Sequence, residues 1–348
     1  MQIVKEGLSY DDVLLVPGYS EVMSRIDVDL KTTLMTRHQS KWGIHLDIPI
    51  VSANMDTITG MQMSRAMHKA GGLGIIHRFM PRAEFEQMIK AMADTDMSSY
   101  VVSVGVGDEA PEMADFALNY RIGVEAVCID VAHGDHKKVY DTVKAISKRK
   151  YSNTNKLIVG NIATPEAAIR LRELGVQTLK VGVGPGSLCT TRINTGCGVP
   201  QLTAIMDIRE ALNKLNTPTY IIADGGIKNS GDIVKALAAG ADAVMVGSLL
   251  AGTDETPGEV IDGKKVYRGM ASREAQTEWK GEATHIEGET ISVRTRGPVA
   301  DIITPLIAGI KSGFSYVGAK NIDELRMKAK FIRMTPAGYR ESLPHGKV

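Results

Sequence analysis

The sequence is short of cysteine, of net charge and of long apolar runs, and each shortage closes off a class of protein. Cysteine occurs 3 times in 348 residues, at positions 128, 189 and 197, too few and too oddly counted for a disulfide framework. A reducing, cytoplasmic setting is therefore expected. With 41 Lys and Arg against 40 Asp and Glu the formal charge is +1, which gives no reason to expect nucleic acid or an acidic membrane as partner. Any anion site has to be local. No apolar run approaches the roughly eighteen residues of a membrane span, and Met1-Gln-Ile-Val-Lys-Glu-Gly7 lacks the apolar segment of a secretory signal. The chain is 43% hydrophobic, enough for a large core, and its length suits one α/β barrel or two ordinary domains.

Short apolar runs at 48–53, 74–77, 100–104, 126–130, 156–160, 178–181, 220–223 and 243–246 read as strands. Between them, 61–70, 82–93, 110–119, 135–148, 165–174, 204–214 and 231–239 read as helices. Strands that are apolar throughout and alternate with helices predict a parallel sheet covered on both faces. Eight repeats make a closed (β/α)8 barrel the first choice over an open doubly wound sheet. Two stretches break the repeat. Residues 257–292 are rich in Gly, Glu, Lys and Thr with little periodic burial, and read as a long excursion from the barrel mouth. Residues 305–312 and 322–331 then read as a helical closure, and 335–348 as a polar tail.

Most strands end in polar or glycine punctuation: Asn54 and Asp56, His77-Arg78, Asp130-Val-Ala132-His133, Gly160-Asn161, Gly182-Val-Gly184, Asp224-Gly225-Gly226 and Gly247-Ser248. Barrel active sites are built at the carboxyl ends of strands, so these groups are expected to share one mouth. Turn formation alone explains the glycines, but not the aspartates, His77 or Asn54. Asp224-Gly225-Gly226 and Gly247-Ser248 follow the seventh and eighth strands, where barrels commonly bind phosphate through backbone amides. The Asp224 carboxylate can accept from both hydroxyls of a ribose diol. An unphosphorylated ligand is the alternative.

The most unusual stretch is 182–201, where Cys189 stands between two glycine-dense segments. It is either a nucleophile on a loop or a small buried apolar residue beside a turn. A nucleophilic thiol needs a lowered pKa or a nearby base. Thr190, Thr191 and Arg192 are in reach, and a hydroxyl two positions past the thiol can relay a proton if a carboxylate stands behind it. Glu287 is a candidate, with Glu282 and Glu289 equally open.

Gly184-Pro-Gly-Ser-Leu-Cys-Thr-Thr-Arg192 followed by Thr195-Gly-Cys-Gly-Val-Pro-Gln201 resembles the active-site loop of the IMP dehydrogenase and GMP reductase superfamily. Leu8-Ser-Tyr-Asp-Asp-Val-Leu-Leu-Val-Pro17, Ser52-Ala-Asn-Met-Asp-Thr57, Ile222-Ala-Asp-Gly-Gly-Ile227, Val246 to Thr253, Tyr267-Arg-Gly-Met270 and Glu287-Gly288 are similar to superfamily motifs in the same order. The resemblance implies a barrel spanning 1–348, homotetrameric assembly and a purine nucleotide substrate, GMP or IMP. It implies Cys189 as nucleophile and Thr191 with Glu287 as proton relay. It implies Ser187, Gly226, Gly247 and Ser248 at the 5′ phosphate, Asp224 at the ribose and Met270 with Ala271 at the base, with Gly225, Tyr267 and Gly269 as further substrate-binding residues. Asn54, Arg78, Asp130, Ala132 and His133 fall on the dinucleotide side, and carbonyls of Gly184, Gly186 and Cys189 on a monovalent cation, K+.

Two departures bear on the reaction. The chain passes from 92 to 99 straight from helix to strand, with no inserted pair of CBS modules, as is usual for reductases of the family. Between Met270 and Glu287 it also lacks the Arg-Tyr pair with which the dehydrogenases activate water. The resemblance therefore implies a GMP reductase, in which Cys189 displaces ammonia from GMP and NADPH reduces C2 to give IMP. The Asn54 segment agrees. Residues 190–201 and 337–342 are closer to bacterial dehydrogenases, so the alternative is an IMP dehydrogenase that uses NAD to make XMP.

Overall fold

The structure, a computed structural model, describes residues 5–36, 43–93, 100–120, 124–149, 154–215, 217–344 and 346. Eight strands form where β-branched and other apolar residues run together: β1 (Ile50–Ser52), β2 (Leu73–Ile76), β3 (Tyr100–Val104), β4 (Val124–Asp130), β5 (Leu157–Ile162), β6 (Thr178–Val181), β7 (Tyr220–Asp224) and β8 (Ala243–Val246). Each pairs in parallel with its sequence neighbour, and β8 returns to β1 by setting Val244 beside Ile50 and Val246 beside Ser52. The result is a closed (β/α)8 barrel. Burial on both faces, towards the lumen and towards the helices, is why these strands are apolar at almost every position.

Among the described residues seven longer helices lie between them, α1 (Met61–Lys69), α2 (Arg82–Ala93), α3 (Ala110–Asn119), α4 (Lys137–Ser147), α5 (Pro165–Glu173), α6 (Gln201–Asn213) and α7 (Ser230–Ala238), and a short one, Thr191–Thr195, stands between β6 and α6. Each turns an apolar stripe inward; α4 buries Val139, Thr142, Val143 and Ile146, one face at helical spacing. Side-chain caps fix several starts, as where Asn229 accepts from Asp232 N and Thr164 from Ala167 N. Residues 94–99, through which the chain reaches β3, lie outside the described residues.

The amino-terminal end of the cylinder is closed by a hairpin the sequence did not reveal, Thr32–Thr36 with Gly43–Leu46. It buries Leu34, Met35, Ile44 and Leu46, and Thr32 Oγ1 donates to Asp242 O at 2.8 Å. The open end is the one where the polar strand endings gather.

Beyond β8, the stretch 257–292 is more ordered than its composition indicates. Lys264–Arg268 and Thr290–Arg294 form an antiparallel ribbon that carries the helix Arg273–Lys280 between them. The ribbon covers one face only and the helix buries little beyond Ala275 and Gln276, so no strong periodicity was there to find. The closing helix α8 (Ala300–Val317) starts five residues before the expected 305 and contains Pro305 within its second turn. Helix Ile322–Lys328 stops short of 331, because Phe331–Arg333 is a strand beside Val13–Leu15 that joins the two chain ends. The tail carries a short helix, Pro336–Glu341; residues 345 and 347–348 lie outside the described residues. Among the described residues no single helix is long and apolar enough to cross a membrane.

Candidate active site

Two adjoining cavities open at the carboxyl end of the strands. The smaller, of about 300 Å³, is walled by Ser187, Gly225, Gly226, Gly247, Ser248 and Tyr267. The larger, of about 520 Å³, holds Cys189, Thr191, Glu287, Asn54, Arg78, Asp130, Ala132, Gly269, Met270 and Ala271 on its wall. Ser187, Asp224, Gly225 and Tyr267 border both, so the space is continuous. Most of the sequence-derived residues thus meet at one mouth, but Asp56, His77, Gly160 and His133 line neither cavity: Asp56 is turned to Arg268, and His77 borders a separate pocket with Thr256 and Lys265. His133 is exposed and stands outside both walls, because Gly134 N is drawn inward to Asn161 O at 2.6 Å and the preceding side chain is left on the solvent side.

In the smaller cavity, Gly225 and Gly226 have φ of 101° and 80°, a region where a side chain is strained, and a Cβ on Gly225 would come within 2.7 Å of Pro185. The backbone there can approach a ligand closely. Ser187 Oγ and Tyr267 OH lie 3.0 Å apart across the cavity. Burial, chiefly, raises the Tyr267 pKa, so its hydroxyl remains a donor at neutral pH.

The Cys189 loop is held by the ribbon region that follows β8. Cys189 bridges to Gly288, Thr190 N donates to Glu287 O at 3.0 Å, and Asn194 Nδ2 donates to Ile286 O at 2.6 Å. This docking aligns the side chains: Cys189 Sγ donates to Thr191 Oγ1 at 3.2 Å, and that hydroxyl donates to Glu287 Oε2 at 2.6 Å. The carboxylate behind the hydroxyl is therefore Glu287; Glu282 and Glu289 are exposed. Arg192 braces the loop from beneath, donating to Val199 O at 2.6 Å and Val183 O at 3.3 Å. Cys189 is half-buried, whereas Cys128 is fully buried on β4 and burial pushes its thiol up to about 12, out of reach of nucleophilic use.

Beneath the cavities lies a charge network that the sequence reading missed. Lys180 Nζ, on a side chain 3% exposed, sits 2.9 Å from Asp130 Oδ1 and 2.9 Å from Asp224 Oδ2. Asn161 Nδ2 donates to the same Asp224 oxygen at 2.8 Å and to Gly182 O at 2.7 Å. Burial opposes charge on both partners, yet the attraction prevails: Lys180 is held well above its ordinary pKa by the two carboxylates, and Asp130 below its own by Lys180 and Arg78. A lysine inside an otherwise apolar strand, Thr178-Leu-Lys-Val181, was the signal available for it.

The cover is anchored at its other end by a second network. Arg268 Nη2 pairs with Asp56 Oδ2 at 2.5 Å and with Glu278 Oε2 at 2.6 Å, and Trp279 Nε1 donates to Asp56 Oδ2 at 3.1 Å. Phe79 lies against Trp279 with ring centroids 6.3 Å apart, and Arg78 stacks over Phe79 at 4.4 Å. Arg78, Phe79, Met270, Gln276 and Lys280 line the larger cavity on this side, with Arg268, Glu278 and Trp279 standing behind them.

That wall fits a dinucleotide. Asn161 Oδ1 is buried without a protein partner on the larger cavity, an acceptor that a ligand hydroxyl or amide can satisfy, and Asp130 and Arg78 add charges of both signs. Of the carbonyls expected at a cation, Gly186 O accepts from Cys189 N at 3.1 Å, which leaves it one lone pair. No cluster of three or more metal-binding side chains exists among the described residues.

The IMP dehydrogenase / GMP reductase domain model matches residues 7–345. The chain is 37% identical to the inosine-5′-monophosphate dehydrogenase of Aquifex aeolicus, with 98% of this chain and 96% of the relative covered. It is 39% identical to the enzyme of the same name from Borreliella burgdorferi, with 99% and 98% covered. The Aquifex alignment runs over 480 positions, more than this chain has residues, so that relative carries a segment absent here; there are no CBS modules in this chain. Among solved structures, the GMP reductase of Trypanosoma brucei in complex with guanosine 5′-monophosphate superimposes with a TM-score of 0.89, at 29% identity and 99% coverage of both chains. With the barrel, the mouth and these likenesses in agreement, the chain belongs to the IMP dehydrogenase/GMP reductase family of oxidoreductases of purine metabolism, which use a nicotinamide dinucleotide.

Proposed function

We propose that the protein is a GMP reductase, converting GMP to IMP and ammonia with NADPH as reductant. The carrying observation is the cover itself. Between Met270 and Glu287 it consists of the helix Arg273–Lys280 and a short return, with no Arg-Tyr pair to activate water. Loss of such a base costs hydrolysis roughly a hundredfold or more. A reductive reaction has no hydrolytic step.

In this reading Asp224 holds the ribose, and Ser187, Tyr267, Ser248 and the amides of Gly226 and Gly247 hold the phosphate. The Cys189 thiol gives its proton through Thr191 to Glu287, and the sulfur bonds to purine C2. Glu287 and Thr191 return protons to the 2-amino group, which departs as ammonia. When bound beside Asn54, Arg78, Asp130, Ala132 and Asn161, the reduced dinucleotide supplies the hydride that C2 takes up. The C2–sulfur bond then breaks, freeing Cys189 and IMP. Residues 182–201 act as the catalytic loop and 257–292 as its cover on a single catalytic domain.

The second reading is an IMP dehydrogenase that uses NAD, favoured by the names of the relatives in Aquifex and Borreliella. Two assays decide between them. Purified protein with GMP and NADPH is expected to lose nicotinamide absorbance and release ammonia; formation of XMP from IMP and NAD at a comparable or faster rate refutes the reductase. A potassium ion held by carbonyls of Gly184, Gly186 and Cys189 would need further oxygen donors to fill its shell, and potassium titration of the rate tests for the ion. A cytoplasmic homotetramer completes the proposal, with the exposed apolar residues Tyr19, Ile26 and Tyr316 as contact surface.

A further inference from the structure

We propose that Lys180 is a positioning residue that sets ribose recognition on both sides of the mouth at once. The inference rests on the reading that Asp224 holds the nucleotide ribose and Asp130 faces the dinucleotide, and it deepens that reading by naming what aims the two carboxylates. Asp130 ends β4, Lys180 lies on β6 and Asp224 ends β7, so one ammonium spans the floor of the cavity from the dinucleotide side to the nucleotide side. The two distances of 2.9 Å are equal, and the ammonium is buried, so neither carboxylate can turn without losing its share. On Asp224 both protein contacts, from Lys180 and Asn161, fall on Oδ2. Oδ1 is thereby left as the acceptor for a diol, which requires two hydroxyls on adjacent carbons. On Asp130, Lys180 takes Oδ1 while Oδ2 lies 3.7 Å from Arg78 Nε, and Arg78 Nε also donates to Asp130 O at 3.0 Å.

The consequence is a preference for ribonucleotide over deoxyribonucleotide that depends on a residue contacting neither sugar. Rejection of an analogue lacking a hydroxyl works only if the site's acceptor is fixed and left unpaired by that analogue. Without Lys180, Asp224 keeps only Asn161 and Asp130 keeps Arg78 and Asn54, so each carboxylate can turn about its remaining contacts or recruit water, and the penalty for the missing hydroxyl falls away. General weakening of the barrel would instead reduce affinity for both sugars alike.

The test uses Lys180→Met, which keeps the length of the side chain and removes its charge, with retained fold checked by circular dichroism and thermal melting. Affinities for GMP and 2′-deoxy-GMP are measured by calorimetry, and KM for NADPH by steady-state rates. The wild type is expected to prefer GMP by about tenfold or more, the scale of a hydrogen bond to a charged group. In the variant the two nucleotides bind within about twofold of each other, and the KM for NADPH rises by about tenfold. A variant that weakens GMP and 2′-deoxy-GMP equally, keeping the preference, overturns the proposal. A second variant, Asp130→Asn, leaves Lys180 wholly to Asp224: the GMP preference is expected to persist while the KM for NADPH rises, and an unchanged KM refutes the dinucleotide half. The binding measurements run equally with IMP and 2′-deoxy-IMP, so they stand apart from the direction of the reaction; absence of binding by either ribonucleotide would instead refute the proposed function.

Discussion

Thr191 and Glu287 stand 96 positions apart in sequence, and the Thr191 hydroxyl donates to Glu287 Oε2 at 2.6 Å. Under the proposed mechanism this contact makes the thiol's proton path depend on the cover remaining docked. Glu287→Gln keeps the shape of the side chain and the hydrogen bond but removes the proton acceptor. Turnover is expected to fall by about 10²- to 10⁴-fold, with the nucleotide KM changed by no more than a few-fold. A matched loss in both would place Glu287 in binding instead.

Arg268 ties the cover to the barrel through Asp56, whose side chain is 6% exposed. Removing the guanidinium leaves that carboxylate buried with only Trp279 as donor, at a cost on the order of 3–5 kcal/mol. Arg268→Met is expected to accelerate amide exchange in 269–288 and to lower turnover, while exchange in the barrel strands stays as in wild type. Adding Asp56→Asn restores part of the protection, since the stranded charge is gone. Uniform acceleration through the whole chain would reject a local anchor.

His77 accepts from Phe79 N at 3.2 Å through Nδ1, so its neutral form is built into the turn. Burial lowers its pKa; Asp56 opposes and Arg268 adds to the lowering. The unfolded chain therefore takes up this proton first, near pH 6.5. The stabilisation is complete above that value and is lost as pH falls from it towards the lower folded pKa. Urea midpoints measured from pH 7.5 down to 5.5 are expected to drop more in wild type than in His77→Asn. Equal slopes would remove His77 as the cause.

Tyr19, Ile26 and Tyr316 are 87%, 84% and 62% exposed; Gly18 N bonds to Tyr316 O at 2.9 Å and Lys311 Nζ to Ile26 O at 3.4 Å, which sets all three along α8. A patch of this kind marks an interaction site. If it is the contact between copies, Tyr316→Asp with Ile26→Asp is expected to shift the mass in solution from tetramer to smaller species by light scattering. A monomeric wild type would dismiss the assembly.

The strands were legible because the barrel buries both of their faces, so composition alone marks them without any need for periodicity. The mouth was legible because chemistry-bearing side chains interrupt those runs at a constant place, the strand end. The hairpin at the amino-terminal end escaped notice because Thr32–Thr36 and Gly43–Leu46 bury only part of their length against the barrel floor. The excursion at 257–292 was read from composition, but the ribbon and helix inside it escaped for the same reason as the hairpin, being half-exposed. Choosing Glu287 over Glu282 and Glu289 required three dimensions, since all three share one short stretch and only backbone pairing with the Cys189 loop selects among them. Lys180 was overlooked although a lone cation in a buried strand requires counter-charges, and both carboxylates had already been singled out for other roles.

The bridge between Cys189 and Gly288 gives synthesis of this enzyme an order of events. While the ribosome is still reading codons before the one for Glu287, the growing polypeptide already carries Cys189 but not the carboxylate that closes its hydrogen-bond chain. Under the proposed mechanism, reactivity of the sulfur therefore arrives late, only once synthesis is well into the last third of the message and that segment has folded back.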